Sequence, residues 1–301
     1  MQDKASVTSL MAAFGRAYHN ENAKNPIFRD TMAKALMTED EYRAIGGYIV
    51  SGIDFFAPDK KGTFRDDADT LRYLVNTQIA PTPLSRAAWC EESLRIAVHT
   101  GVRQYVILGA GMDTFAYREP YFCAQYPVFE VDHPQTQADK RQRLRSAGIN
   151  IPEGVYYVPI DFTCDDPFAA LLSSGYDPQK KTFFSWLGVS MYLDRAAIER
   201  LLDEVASHAA KGSSLVFDYA SAGLFLSEDR RVRNMLAMAQ AGGEEMRASF
   251  DPMSLELLAA DHGFLVYEHL MTADIQKRYF DGRDDDLSAF PCICFAHAVV
   301  Q

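Results

Sequence analysis

The chain has 301 residues, of which 48% are hydrophobic and 24% charged, and its net charge is −11. This is enough for one large domain, or one domain with an accessory lobe. The acidic balance opposes non-specific binding to nucleic acid or to an anionic membrane, and no apolar run approaches the roughly 20 residues that span a bilayer.

In chain order, residues 1–95 carry little strand pattern and are expected to form a helical N-terminal cap, with no signal peptide. Leu10, Phe14 and Tyr18 recur at helical spacing after the candidate caps Ser6 and Thr8. "FRDTMAKALMTEDEYRAIGGYIVSGIDFF" is helical in composition, with a break expected at Gly46-Gly47. A loop around "APDKKGTFRDD" precedes "PTPLSRAAWCEESLRIAVHTG", where Leu94, Ala97 and Val98 share one face and Gly101 ends the helix.

From Gln104 the pattern changes to short apolar runs separated by amphipathic stretches. The runs are "YVILG", "PVFEVD", "VYYVPID", "TFFSWLG", "SLVFDY", "FLVYEHL" and "CICFAHAVV". Near-continuous apolar strands alternating with helices predict a mostly parallel seven-stranded α/β sheet, covered on both faces, over 96–301. Asp194 is the expected cap of a helix with an Ile198, Leu201, Leu202, Val205, Ala209 stripe, closed by Lys211-Gly212. A helical insertion is expected near 222–250, followed by a helix capped by Asp251, with Pro252 in its first turn and Gly263 as its stop. Cys90, Cys123, Cys164, Cys292 and Cys294 show no CxxC spacing and are expected to be reduced, in the cytoplasm. Cys292 and Cys294 should share one face of a strand. The seven histidines show no HExxH spacing, so no metal site is expected.

The chemistry gathers at three strand ends. "YVILGAGMDTFAYR" is a strand that breaks on Gly109 and Gly111, the place where a ligand meets the carboxyl edge of such a sheet. A dinucleotide fingerprint wants a third glycine where Thr114 stands, which weakens a nicotinamide cofactor, and no GK[ST] follows for a P-loop. The second strand ends in "FEVDHP", where Glu130 or Asp132 is placed to accept from a ribose diol. The third ends in "PIDF", where Asp161 can accept from an exocyclic amine and Phe162 can frame a purine. Together they describe a nucleoside site without a pyrophosphate cradle.

"QYVILGAGMDTFAYR", "VFEVDHPQTQADKRQRL", "VPIDF" and "FFSWLGVSMYL" resemble the leucine carboxyl methyltransferase-like family of S-adenosylmethionine-dependent methyltransferases. "GRAYHNE", the arginine of "PTPLSRAAW" and the tail "RYFDGRDDD" extend the resemblance over nearly the whole chain. It implies a class I methyltransferase (Rossmann-like) fold whose sheet has a final antiparallel strand. It also implies S-adenosyl-L-methionine as cofactor: Gly109 and Gly111 at its methionine part, Asp132 at the ribose, Asp161 and Phe162 at the adenine, and Arg86 at its carboxylate. The protein-directed members carry a glutamate where this chain has Leu187, which favours the bacterial small-molecule O-methyltransferase branch.

Methyl transfer from a sulfonium needs an aligned nucleophile in a dry pocket more than activation. A carboxylate acceptor needs no base; a hydroxyl would benefit from one, for which His133 is a candidate, although packing beside the nucleoside is the preferred reading. Tyr192 is the candidate catalytic and acceptor-binding residue. Tyr18, Trp186 and Tyr219 are further acceptor-site candidates, with core packing the simpler account of Trp186. Asp218 is also placed to face the pocket, and His19 is a weaker candidate. Two other functions stay open: a nicotinamide-dependent oxidoreductase, and a protein that binds S-adenosylmethionine without turnover. The acceptor's identity and the oligomeric state stay open as well.

Overall fold

The structure is a computed structural model that describes residues 7–162 and 165–301. Ser6 and Cys164 lie outside the described residues. Helix α1 (Val7–Asn22) buries Ala13, Phe14 and Ala17, and Thr8 falls inside its first turn instead of capping it. Helix α2 (Glu39–Ser51) starts on a reciprocal cap: Thr38 Oγ1 accepts from Glu41 N–H, and the Glu41 carboxylate accepts from Thr38 N–H at 2.8 Å. The break expected at Gly46-Gly47 does not occur, and the helix runs on to Ser51. Gly46 faces inward, where an added Cβ would stand 3.3 Å from Leu71. The glycine there makes room for a neighbour and does not end the helix. Helix α3 (Asp67–Leu74) and the long helix α4 (Pro81–His99) complete the first hundred residues. No strand occurs among the described residues before Gln104.

The seven expected runs form the seven strands β1 (Gln104–Leu108), β2 (Val128–Asp132), β3 (Val155–Pro159), β4 (Thr182–Trp186), β5 (Ser214–Ala220), β6 (Phe264–Leu270) and β7 (Ile293–Val300). They make one sheet in the order β3-β2-β1-β4-β5-β7-β6. All neighbours pair in parallel except β7, which runs antiparallel to both β5 and β6. β1 and β4, buried along their whole length, stand at the centre where the strand order reverses. The linking helices are α5 (Pro134–Ser146), α6 (Pro167–Ser173), α7 (Arg195–His208), α8 (Arg230–Ala241) and α9 (Pro252–Asp261). Two apolar clusters cover the two faces of the sheet. One joins Phe14, Leu36 and Ile49 of the N-terminal helices to Tyr105, Ile107 and Phe183 of the sheet. The other packs α7 and α9 against Phe184, Trp186, Phe217 and Tyr219.

Two local expectations change. α7 ends at His208, before Lys211-Gly212, because Ala209 is already extended. Cys292 precedes β7 with a left-handed φ of 62°, so it does not share a face with Cys294; it packs toward the first cluster while Cys294 lies in the second. Asp194 does cap α7, accepting from Ala197 N–H at 2.8 Å. Asp194→Ala should therefore cost about 1 kcal/mol in a urea titration. No helix among the described residues is long and apolar enough to cross a membrane.

Candidate active site

A cavity of about 610 Å³ opens at the carboxyl ends of β1, β2, β4 and β5, where ligands bind in open sheets of this kind. α1, the start of α4, α8 and the 242–247 segment supply the opposite wall. The glycine turn after β1 forms its floor. Gly109 and Gly111 have φ of 72° and 45°, so other residues would be strained there. A Cβ on Gly109 would stand 2.7 Å from Val189, and one on Gly111 would stand 2.5 Å from Ser9 Oγ. Ser9 Oγ accepts from Met112 N–H at 2.9 Å, which pins α1 over the turn.

Asp132 stands at the end of β2 with its carboxylate bonded to Gly111 N–H on one oxygen and to His133 N–H at 2.6 Å on the other. Burial pushes this carboxyl up, and the two backbone donors partly offset that. The carboxylate lines the cavity with lone pairs to spare. Glu130, the other candidate on β2, is buried one pleat away, where it accepts from Lys140 Nζ at 2.8 Å and from the Tyr117 hydroxyl at 3.1 Å. Phe162 lines the cavity and is 39% exposed. Asp161 does not line it; its N–H donates to Asp165 Oδ2 at 2.8 Å.

Arg86 lies in the second turn of α4. Its Nη1 donates to Asp218 Oδ2 at 2.8 Å, and the other oxygen of Asp218 accepts from Gly188 N–H at 2.5 Å. Gly188 has a φ of 71°, and a Cβ there would stand 2.6 Å from Arg86 Nη1, so the guanidinium rests directly on this glycine. The Arg86 side chain keeps 18% exposure toward the cavity while that of Asp218 has none. Tyr192 also lines the cavity, and its hydroxyl makes no hydrogen bond among the described residues. Burial pushes its pKa up to about 12 despite the nearby Arg86, so it stays a proton donor.

The other candidates lie elsewhere. Side chains alternate along a strand, so when Ser185 and Asp218 face the cavity, Trp186 and Tyr219 must face away. Both lie in the second apolar cluster, and the Tyr219 hydroxyl bonds His269 Nδ1 at 3.2 Å. Tyr18 stacks on Phe14 outside the cavity lining. His19 is buried, accepts from Ile27 N–H at 2.9 Å, and has a pKa lowered to about 4 by burial. His133 turns its ring to the start of α5, where Nδ1 accepts from Gln135 N–H at 3.3 Å; it does not line the cavity.

The model of one family, leucine carboxyl methyltransferase, matches residues 9–206. The chain belongs to the leucine carboxyl methyltransferase family. It is 42% identical over 301 residues to YktD of Bacillus subtilis (strain 168), covering 99% of each chain. That protein's name assigns it provisionally to the S-adenosyl-L-methionine-dependent methyltransferases. A Mycobacterium avium (strain 104) protein with the same provisional assignment is 30% identical over 236 residues, 78% of this chain and 73% of that one. Among solved structures, a Thermobifida fusca protein described provisionally as a methyltransferase superposes with a TM-score of 0.58 at 16% identity. The superposition covers 100% of this chain and 96% of that one, and confirms the class I methyltransferase fold.

One part of the cavity wall escaped the sequence reading. Five side chains, Arg16, Asp30, Glu91, Thr114 and Arg118, form a buried network in the cavity wall. Asp30 accepts from Arg16 Nε at 2.8 Å and from Thr114 Oγ1 at 2.7 Å. Arg118 Nε donates to Thr114 Oγ1 at 3.0 Å, and its Nη2 pairs with Glu91. Arg16 Nη2 also donates to the Met112 carbonyl at 2.7 Å, so the network grips the glycine turn from the cap side. The available signal was Arg16 itself, a charge among the buried Ala13, Phe14, Gly15 and Ala17 of α1.

Proposed function

We propose that this methyltransferase uses S-adenosyl-L-methionine to methylate a carboxylate oxygen of a small molecule. The observation that carries the reading is Tyr192, which lines the cavity near Arg86 and whose hydroxyl has no hydrogen-bond partner among the described residues. The residues present fit the cofactor: a carboxylate with spare lone pairs on Asp132, an exposed Phe162 ring, a backbone turn open to close approach, and a guanidinium with one edge still facing the cavity.

When bound, the cofactor supplies an electrophilic methyl group on a sulfonium. Asp132 would accept from the ribose diol and Phe162 would cover the adenine, whereas Asp161, outside the cavity lining, is left without the amine-reading role expected of it. Arg86 meets the amino-acid carboxylate with the guanidinium edge that Asp218 leaves unused. Tyr192 donates to one oxygen of the acceptor carboxylate and so orients the other as nucleophile. Such an acceptor is already ionised at neutral pH and requires no proton removal. No histidine occurs among the described residues lining the cavity, and Tyr192 holds its own proton, which agrees with an acceptor of this kind. The four described cysteines are free, in keeping with a cytoplasmic protein.

S-adenosyl-L-methionine and S-adenosylhomocysteine should each add about 2.7 kcal/mol of stability at 100 times their dissociation constant. NAD and NADP should add nothing, and a larger shift with NAD would reinstate the oxidoreductase reading. Turnover is tested with a labelled methyl donor and a panel of carboxylic acids. Mild alkali releases label from a methyl ester as methanol but leaves a methyl ether intact, so label that survives alkali rejects the carboxylate. Binding without transfer to any acceptor would leave a protein that only holds the cofactor.

A further inference from the structure

Beyond Tyr192, an apolar stretch lines the cavity away from the glycine turn, flanked by Glu244, Glu245 and Arg247. Met11 of α1, Met191 beside Tyr192, Met235 and Met238 of α8, Met246 and Phe290 converge there from separate parts of the chain. Met191, Met246 and Phe290 are buried, whereas Met235 and Met238 are half-buried. Thioether side chains are unbranched and polarizable, and adapt to flat or flexible apolar partners. Across the cavity as a whole, carboxylates outnumber guanidinium groups: seven aspartates and glutamates against four arginines among the described lining residues. Three of the four arginines, Arg16, Arg86 and Arg118, already pair with carboxylates, so among the described lining residues a second negative charge on an acceptor would have only the exposed Arg247 to offset this excess.

Resting on the carboxyl methylation proposed above, we infer that the acceptor is a monocarboxylic acid with an apolar body, seated on the methionine wall with its carboxylate at Tyr192. The apolar body supplies the affinity and the single charge fixes the orientation, as in most small-molecule sites. The step balances: the carboxylate oxygen forms a bond to the methyl carbon as the carbon–sulfur bond breaks, and the electron pair stays on sulfur. The products are a neutral methyl ester and S-adenosylhomocysteine. No proton is released.

The test uses straight-chain acids from acetate to octanoate, with phenylacetate, succinate and a short peptide ending in leucine alongside. Two quantities are read: transfer of labelled methyl, and calorimetric binding of each acid with and without S-adenosylhomocysteine. The expected result is affinity and kcat/KM rising about fourfold per added methylene, succinate poorest for its size, and the peptide below octanoate. Met238→Glu should lower the octanoate-to-acetate ratio at least tenfold, and retained binding of S-adenosylhomocysteine shows that the variant has folded. Methylation without chain-length preference, or with the peptide preferred, overturns the apolar acceptor and leaves carboxyl methylation standing. Chain-length-dependent binding without methyl transfer sustains the compartment and rejects the carboxyl chemistry. If no acid binds either form of the protein, the inference fails whatever the cofactor does.

Discussion

Replacing Arg86 by lysine is expected to weaken binding of S-adenosyl-L-methionine and S-adenosylhomocysteine by tenfold or more, and to leave 5′-methylthioadenosine nearly unaffected. The last ligand lacks the amino-acid carboxylate. Charge-assisted hydrogen bonds of this kind contribute about 1.5–3 kcal/mol, and an ammonium cannot reproduce a planar two-pronged contact. The structure adds a second part to the prediction. Asp218 stands at the cavity with no exposed side-chain surface, and it holds one edge of the guanidinium at 2.8 Å and the Gly188 N–H at 2.5 Å. It should therefore act through Arg86. Asp218→Asn keeps an oxygen for Gly188 but loses the charge that aims Arg86, and should show the same ligand-selective loss. Adding Asp218→Asn to Arg86→Lys should cost little more, because contacting residues acting as one unit are not additive. Equal losses for ligands with and without the carboxylate would mean that Arg86 only supports the fold. Additive losses would separate Asp218 from it.

Strand identity was legible because each run is apolar almost throughout, which a doubly covered parallel sheet demands and an exposed one would not tolerate. The strand ends were legible for a related reason: glycines and acids there interrupt an otherwise apolar pattern. Facing was harder. Asp218 and Tyr219 are adjacent at the end of β5, and only the register of the sheet decides which meets the cavity. The cap was least legible. Gly46-Gly47 looks like a helix break unless Leu71 is known to pack there, and Arg86 looks like a helix start unless Ala80 is known to precede the helix. The network of Arg16, Asp30 and Arg118 joins positions 84 to 96 residues apart in two of its contacts. No local spacing encodes such pairs. What the chain does show is the cost they offset, a charge placed on an apolar helix face.

Removing the centre of that network should have the largest effect on stability. Asp30→Ala deprives Arg16 and Arg118 of a shared partner whose side chain is completely buried. Leaving buried charges uncompensated typically costs about 3–5 kcal/mol, well above the median for a point substitution. Burial alone would raise the Asp30 carboxyl, but Arg16 and Arg118 outweigh it and hold it below its ordinary value. A carboxyl depressed in the folded state contributes its full stability above the unfolded value, near 3.9, and loses it as pH falls through the lower folded value. The gap between native and Asp30→Ala protein, from urea midpoints, should thus be wide at pH 7 and narrow steadily below about pH 4. A gap that stays constant with pH would show that lost packing, not charge, is responsible. A gap under about 1 kcal/mol at pH 7 would show that the two arginines find other partners. Because Arg16 also holds the Met112 carbonyl at 2.7 Å, the folded variant should bind S-adenosylhomocysteine more weakly, although the Asp30 side chain has no exposed surface. The cap then does more than cover the cavity: its buried charges hold the glycine turn that forms the cavity floor.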